Sequence, residues 1–173
     1  MYAGTDITIS RPCSADMPLP TALYNSVTMK GTRERFHFTG EEDTNGNAYA
    51  IAVTGANAGD ITELPLLGTA RFENIVLCPY EQDVTIAMGT DDTNPGYIFM
   101  NVGQKNSDGS SELDKAGLLN GVRYVLKVCV RIIPADHRRI CFYLRTDPEV
   151  VTHNYKNKLL TASTFPLSPS ITI

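Results

Sequence analysis

Short stretches in which apolar and polar residues alternate recur along most of this chain. The clearest, "VRYVLKVCVRII" (122–133), interleaves three basic residues with apolar and aromatic ones. After the turn "PADH", the stretch "RRICFYLRTDPEV" (138–150) alternates again and breaks at Asp147-Pro148. Alternation with period two is typical of a half-buried strand, because successive side chains leave a strand on opposite faces. Together the two stretches predict a β-hairpin.

Five further stretches show the same strand pattern between turn signals. They are "RERFHFT" (33–39), "NAYAIAVT" (47–54), "ARFENIVLCP" (70–79), "DVTIAMG" (83–89) and "GYIFMNV" (96–102). Asn45-Gly46 is a hairpin signal, and "SSELDKAGLLNG" (110–121) predicts a short helix that Ser111 can cap. The whole pattern predicts an all-β antiparallel sandwich or barrel of about eight strands, with at most one or two short helices. Spacing alone does not separate a jelly roll from an immunoglobulin-like or lectin-like sandwich.

The N-terminal segment, residues 1–22, differs from the rest. It contains Pro12, Pro18 and Pro20, and few apolar residues of core size precede Leu19. Because proline cannot donate a hydrogen bond to a strand ladder, we expect an extended arm that is ordered mainly by neighbouring molecules. Residues 23–173 are then expected to form a single β-sandwich domain.

The predicted hairpin also indicates the centre of the core. Tyr124, Leu126 and Val128 share one face of its first strand, and Ile140 and Phe142 share one face of the second. Apolar side chains that face each other across a hairpin stabilise it and fix its register. These five residues are therefore predicted to form the centre of the core.

The opposite face of the hairpin is basic. Residues 121–173 carry a net charge of +5, whereas residues 1–120 carry −9. Three explanations stay open: a solvated face beside acidic loops of the same molecule, an acidic surface on an adjacent subunit, and RNA. Arginine and tyrosine are enriched in protein interfaces. The candidates for a subunit interface are therefore Arg123, Lys127, Arg131, Arg139, Tyr143 and Arg145.

The composition, 42% hydrophobic and 20% charged, is that of an ordinary globular protein. No apolar run is long enough to span a membrane, and the first residues do not resemble a signal peptide. The four cysteines, Cys13, Cys78, Cys129 and Cys141, form neither a C-x-x-C pair nor a zinc-binding spacing. They predict the reduced thiols of a cytosolic protein. A Cys129–Cys141 bridge between neighbouring strands is the less favoured alternative.

Motifs for catalysis, metal binding or cofactor binding are absent from the sequence. It contains no G-x-S-x-G, no glycine-rich phosphate loop and no H-E-x-x-H. His37, His137 and His153 have no local partners, and residues 43–54 lack the glycine and the glutamate of a calcium loop. The sequence therefore predicts no enzyme, no metal and no cofactor. A serine–histidine–acid site that folding assembles from distant residues stays open.

Residues 121–168 resemble the C-terminal part of the small coat proteins of plant picorna-like viruses, the comovirus and cheravirus relatives. The features that carry the resemblance are Tyr124 and Leu126 in one strand, Pro134 in a turn, the strand and turn of residues 142–148, Leu159-Leu160, and "FPLS" (165–168). The resemblance implies an eight-stranded jelly roll that tiles an icosahedral shell with related coat subunits around single-stranded RNA.

It also implies a protein of the virion, assembled in the host cytoplasm and released from a polyprotein by a viral protease, with Met1 as a cleavage product. The chain lacks the arginine-rich arm of many coat proteins that package RNA. Whether this chain touches RNA therefore stays open.

Two functions from different classes follow. The first is a structural coat protein that works by self-assembly. The second is a carbohydrate- or ligand-binding, lectin-like β-sandwich, in which Tyr97 or Tyr155 lies in a polar groove. A hydrolase with a spatially assembled site is a third, less favoured hypothesis.

Overall fold

Two main antiparallel β-sheets and one small sheet make up the fold. The structure, a computed structural model, describes residues 7–94, 96–131 and 139–146, with the backbone alone from residue 126 onwards. The strands are β1 (Pro12–Asp16), β2 (Tyr24–Asn25), β3 (Lys30–Gly31), β4 (Phe36–Glu41), β5 (Ala48–Ala52), β6 (Ile61–Glu63), β7 (Phe72–Leu77), β8 (Val84–Asp91), β9 (Ile98–Gln104), β10 (Val122–Arg131) and β11 (Arg139–Thr146). Helices α1 (Pro20–Leu23) and α2 (Glu112–Lys115) are one turn each, and a 3-10 turn lies at Pro65–Leu67. The prediction of an all-β antiparallel fold with at most two short helices is confirmed.

The described residues form eleven strands, not eight. Seven of them, β4, β5 and β7 to β11, overlap the seven predicted stretches. Strands β2, β3 and β6 are only two or three residues long. Such short strands cannot show a period of two, which is why the sequence pattern did not reveal them.

The five-stranded sheet is a meander. Its strand order is β11-β10-β9-β8-β7, so every neighbour in the sheet is also a neighbour along the chain. The four-stranded sheet has the order β1-β4-β5-β6. A jelly roll is built from Greek keys, in which a strand returns over a long connection to lie beside an earlier one. The jelly-roll topology is therefore not confirmed.

The core lies between the two main sheets and centres on Phe72, which is fully buried. A Cβ atom on Gly40 of β4 would lie 2.5 Å from Phe72 Cβ, and one on Gly89 of β8 would lie 2.6 Å from Phe72 Cε1. Both distances are too short for a side chain, so the two glycines make room for the phenyl ring between the sheets. The core also includes Phe36, Phe38, Leu64, Leu67, Ile75, Leu77 and Ala87.

Strand register assigns the two faces of the five-stranded sheet. One row across β7 to β10 consists of Leu77, Ala87, Asn101 and Arg123. Its first three members are buried, so this is the inner face of the sheet. The adjacent row consists of Val76, Met88, Met100 and Tyr124, which are all partly exposed. This second row marks the outer face.

The predicted core centre lies on the outer face. Tyr124 is opposite Met100, Leu126 is opposite Ile98, and Val128 is opposite Phe142. Tyr124 is only half-buried and lies on the outer face, so its prediction as a core residue is wrong. The side chains of Leu126, Val128, Ile140 and Phe142 lie outside those that the structure describes, so their part in the core stays a prediction. A period of two separates the two faces of a strand, but the neighbouring strands decide which face meets the other sheet.

The predicted N-terminal arm contributes to the body of the domain. Strand β1 pairs with β4, with Asp16 opposite Phe38. Helix α1 buries Ala22 and Leu23, and the Thr21 hydroxyl donates to the Pro79 carbonyl at 2.6 Å. Residues 12–22 are therefore ordered by the chain's own strands, in contrast to an arm that neighbours order. The boundary expected after residue 22 falls inside α1.

Two local predictions are confirmed. Ser111 caps α2, because its side-chain oxygen accepts from the Asp114 backbone N–H at 3.2 Å. The helix stops sooner than predicted, and the chain turns at Gly117, whose φ is 76°. Asn45 adopts the left-handed conformation in the β4–β5 turn, with φ of 59°, as expected for an asparagine–glycine hairpin.

Candidate assembly surface

The outer face of the five-stranded sheet presents neighbouring rows of partly exposed apolar side chains in the described part of the chain. Among the strand residues whose side chains the structure describes, its members are Val76, Val84, Ile86, Met88, Ile98, Met100, Val102, Val122 and Tyr124. Each of them stays partly exposed to solvent, up to 46% for Val122. Polar residues occur only at its margins, as Asn74, Thr90 and Gln104. We call this set of residues the outer apolar face.

The size of the outer apolar face can be worked out from strand geometry. Four strands spaced about 4.8 Å apart, each contributing about six residues of 3.3 Å, span roughly 400 Å². Monomeric soluble proteins rarely expose contiguous apolar patches larger than a few hundred Å². A sheet whose strands are apolar on both faces is typical of a sheet that is covered on both sides. The outer apolar face is therefore a candidate contact surface for another molecule.

The predicted interface residues share one face of the β10–β11 hairpin. Lys127 is opposite Tyr143, Arg131 is opposite Arg139, and Arg145 is opposite Val125. Arg123 lies opposite Asn101, which places this basic side on the inner face of the sheet and not on its outer face. Arg123 lies beside the 3-10 turn, since a Cβ atom on Gly68 would be 2.4 Å from its Nη1. Register thus brings all six residues to one side of the hairpin, on the side opposite the outer apolar face.

Beyond the sheet, the hairpin continues as a two-stranded ribbon. The last pair between β9 and β10 is Ile98 with Leu126, whereas β10 and β11 stay paired up to Arg131 and Arg139. The charged positions after Leu126 therefore lie beyond the last residue pair between β9 and β10. A two-stranded ribbon alone is marginally stable in water. This ribbon, basic on one side and apolar on the other, is a second candidate contact region.

Acidic loops lie at the end of the sandwich from which the ribbon extends. Asp91, at the end of β8, accepts from the Arg71 backbone N–H at 3.3 Å. Arg11 and Arg71 share Glu42, at 3.4 and 3.3 Å. Asp43 and Asp92 are exposed, and among the described side chains neither forms an ion pair. This end therefore keeps excess negative charge that a basic surface can neutralise.

At the opposite end, Asp83 binds the β2–β3 hairpin to the β7–β8 loop. Asp83 Oδ1 accepts from Asn25 Nδ2 at 2.7 Å and from Thr28 Oγ1 at 2.5 Å, and Asp83 Oδ2 lies 3.0 Å from Lys30 Nζ. The hydrogen bond from Thr28, followed by that from Lys30, lowers the pKa of the Asp83 carboxyl group. These contacts fix the loops at this end without leaving a carboxylate free for chemistry.

Lys105 is a buried amine beside this loop, with only 1% of its surface exposed. Its Nζ donates to the carbonyl oxygens of Gln82 at 2.8 Å and Val84 at 3.2 Å. Burial lowers the pKa of the Lys105 ammonium group to about 8, while the charge of Asp83 acts in the opposite direction. No sequence signal marks this residue, because a lone lysine in the polar stretch after a strand looks like an exposed one.

A pair of carboxylates lies beside α2. The Thr32 hydroxyl donates to Glu112 Oε2, and Lys115 Nζ contacts Glu112 Oε1 at 2.5 Å. The neighbouring Glu34 Oε2 is buried and has no hydrogen-bond partner. Burial, and then the charge of Glu112, raise the pKa of the Glu34 carboxyl group. Glu34 is therefore destabilising when it is ionised.

A shallow groove of about 520 Å³ lies near the β2–β3 hairpin. It is lined by Pro20, Thr21, Tyr24, Ser26, Arg33 and Glu81. The Arg33 guanidinium carbon lies 4.7 Å from the centre of the Tyr24 ring and occupies one face of it. Of the aromatics predicted for a lectin-like groove, Tyr97 packs against Phe99 with ring centres 6.3 Å apart, and Tyr155 lies outside the described residues.

The described residues contain no group of three or more His, Cys, Asp or Glu side chains that could hold a metal ion. His37 is half-buried in β4, whereas His137 and His153 lie outside the described residues. No helix in the described ranges is long and apolar enough to cross a membrane. The absence of enzymatic activity remains a prediction from the sequence.

Comparisons with family models, curated proteins and solved structures found no match to this chain. The coat-protein hypothesis therefore rests on the sequence resemblance of residues 121–168, of which the structure describes 121–131 and 139–146.

Proposed function

We propose that this chain is a structural coat subunit that assembles with copies of itself and with related subunits into an icosahedral shell around single-stranded RNA. The observation that carries the proposal is the outer apolar face, which leaves a row from Val76 to Tyr124 partly exposed in the single chain. Covering this row with a second subunit removes apolar surface from water, which favours association.

The area supports an assembly contact of ordinary size. The roughly 400 Å² of the outer apolar face is about half of what each partner contributes to a standard interface, about 800 Å². The β10–β11 ribbon continues the same face with Leu126, Val128 and their partners on β11. The ribbon therefore extends the contact face beyond the sheet, toward the size of a standard interface.

The ribbon also supplies electrostatic specificity. Its basic side carries Lys127, Arg131 and Arg139, and the acidic end of the sandwich carries the exposed Asp43 and Asp92. Complementary charges fix the orientation of partners and suppress wrong ones. We favour the acidic end of an adjacent subunit over RNA as the partner of the basic side, because the chain lacks the arginine-rich arm that a large phosphate footprint needs.

The coat hypothesis draws on the resemblance of residues 121–168 to coat proteins. That resemblance also implies a jelly roll, which the meander order of the five-stranded sheet does not support. Self-assembly does not depend on that topology. It depends on the outer apolar face of the five-stranded sheet.

The proposal is tested by the size of the purified chain in solution and by one substitution in the outer apolar face. Met88→Lys places a charge at the centre of the face, and Val53→Lys is the control, since it places the same charge at an exposed valine away from this sheet. We expect the wild type and Val53→Lys to form large particles by light scattering and electron microscopy. Met88→Lys should stay monomeric and keep the melting temperature of the wild-type monomer.

Two results would contradict the proposal. One is a wild-type chain that stays monomeric at its highest soluble concentration at every salt concentration and pH tried. The other is assembly of Met88→Lys to the same extent as the wild type.

A carbohydrate- or ligand-binding module is the second candidate, and the groove beside Tyr24 is the observation that favours it. An aromatic ring beside polar groups is a common feature of ligand sites. A monomeric chain that binds a glycan on an array, and loses the binding in Tyr24→Ala, would support this candidate over the coat subunit.

A further inference from the structure

Strand register brings two of the four cysteines together. Cys129 of β10 lies directly opposite Cys141 of β11. The pairing runs without a bulge from Tyr124–Thr146 to Arg131–Arg139, so the two cysteines lie within an uninterrupted ladder. Residues opposite each other in an antiparallel pair have Cα atoms about 4.5 or 5.5 Å apart, depending on the kind of pair. Both spacings fall within the range that a disulfide bond spans, about 4.4–6.8 Å.

Basic residues occupy register positions next to this pair. Lys127 and Arg131 flank Cys129 on the same face of β10, and Arg139 flanks Cys141 on β11. Neighbouring cations favour the thiolate, which is the nucleophile in disulfide exchange, and they attract anionic reagents. The pair also lies past Leu126, the last residue of β10 that pairs with β9, so β9 does not cover this part of the ribbon in the described residues.

We infer that Cys129 and Cys141 form a redox site in which a small anionic disulfide such as glutathione disulfide closes a cross-strand bond. The Cys129 thiolate attacks one sulfur of glutathione disulfide, which gives a mixed disulfide and releases one glutathione. The Cys141 thiolate then attacks the Cys129 sulfur and releases the second glutathione. The two cysteines are oxidised, glutathione disulfide is reduced, and the two thiol protons end on the two glutathione molecules.

The bond would hold together a ribbon that has little other support. Among the residues that the structure describes, β10 pairs past Leu126 with β11 alone, and two-stranded ribbons are marginally stable by themselves. A reducing compartment keeps the pair open, and transfer to an oxidising one closes it. The site therefore differs from Cys13 and Cys78, which lie in separate strands or loops and are free. The inference does not depend on whether the chain assembles.

The test uses the full chain in buffers of varied glutathione to glutathione disulfide ratio, followed by acid quenching, alkylation and peptide mass mapping. We expect a peptide pair linked through Cys129 and Cys141 and an intact mass lower by about 2 Da. The bond should form in the Cys13→Ser/Cys78→Ser variant as well. In urea, formation of the bond should need a ratio of glutathione disulfide to glutathione that is about tenfold higher or more. The reason is that the folded ladder, which holds the two thiols close, is lost.

Single variants identify the intermediate. Cys141→Ser should accumulate one glutathione on Cys129, and Cys129→Ser should accumulate one on Cys141. Three products would overturn the inference: glutathione on both cysteines of the wild type without a bridge, dimers linked through either cysteine, or no reaction at either. It is also overturned if the bond forms in urea at the same ratio of glutathione disulfide to glutathione as in the folded chain. The wild type and Cys13→Ser/Cys78→Ser decide the question even where a single variant does not fold.

Discussion

Replacing Lys105 with methionine should flatten the pH dependence of the free energy of unfolding between pH 8 and 10.5. In the folded chain Lys105 is 1% exposed, and its pKa is lowered from 10.5 to about 8 by burial. In the unfolded chain the ammonium group is hydrated and keeps its ordinary pKa. Between these two values the unfolded state binds more protons than the folded state, so the free energy of unfolding of the wild type rises with pH.

The size of the effect follows from the shift. One pH unit corresponds to about 1.4 kcal/mol, so a shift of about 2.5 units gives an increase of at most about 3 kcal/mol by pH 10.5. Below pH 8 both states carry the proton, and the cost of burying the charge stays constant. The Lys105→Met variant lacks the group and should lack this increase. Its stability at pH 7 is a separate quantity, because the variant also loses the hydrogen bonds to Gln82 and Val84.

The measurement is denaturant unfolding followed by circular dichroism, in steps from pH 7 to 10.5. The quantity compared is the difference in unfolding free energy between the wild type and Lys105→Met, which cancels the titration of other groups. Lys30→Met is the control, since it removes a partly exposed lysine that contacts Asp83. Parallel pH profiles for the wild type and Lys105→Met would refute a buried Lys105 with a lowered pKa.

Three other predictions concern packing, capping and a buried carboxylate. Phe72→Ala should lower the unfolding free energy by about 3–5 kcal/mol, and Gly89→Ala by about 1–3 kcal/mol because its methyl group meets the ring. In denaturant titrations Gly89→Ala should cost less when combined with Phe72→Ala, and strict additivity would contradict the contact between Gly89 and the Phe72 ring. Ser111→Ala should cost about 1 kcal/mol and Ser111→Asp much less, and equal losses would show that the cap does not matter. The pKa of Glu34 is raised, so the folded state loses stability as pH rises past 4.5. Glu34→Gln should therefore raise the melting temperature at pH 7 more than at pH 4, and an equal gain at both would count against the effect.

The sequence by itself determined the strands that are long enough to alternate. It also located the hairpin between β10 and β11, the asparagine–glycine turn and the Ser111 cap, because each of these depends on residues close together in the chain. The common side of Lys127, Arg131, Arg139, Tyr143 and Arg145 follows from the same local period. Their role in an interface stays a prediction.

Only the tertiary structure decided which side of the hairpin meets the core. The side with Tyr124 and Leu126 is the more apolar, yet register with β9 places it on the outer face, beside Met100 and Ile98. The fold also buried Lys105, whose ammonium group donates to the carbonyl oxygens of Gln82 and Val84. Each of these depends on which strands become neighbours. That choice minimises the free energy of the whole sandwich, so it is not encoded in any single stretch of the chain.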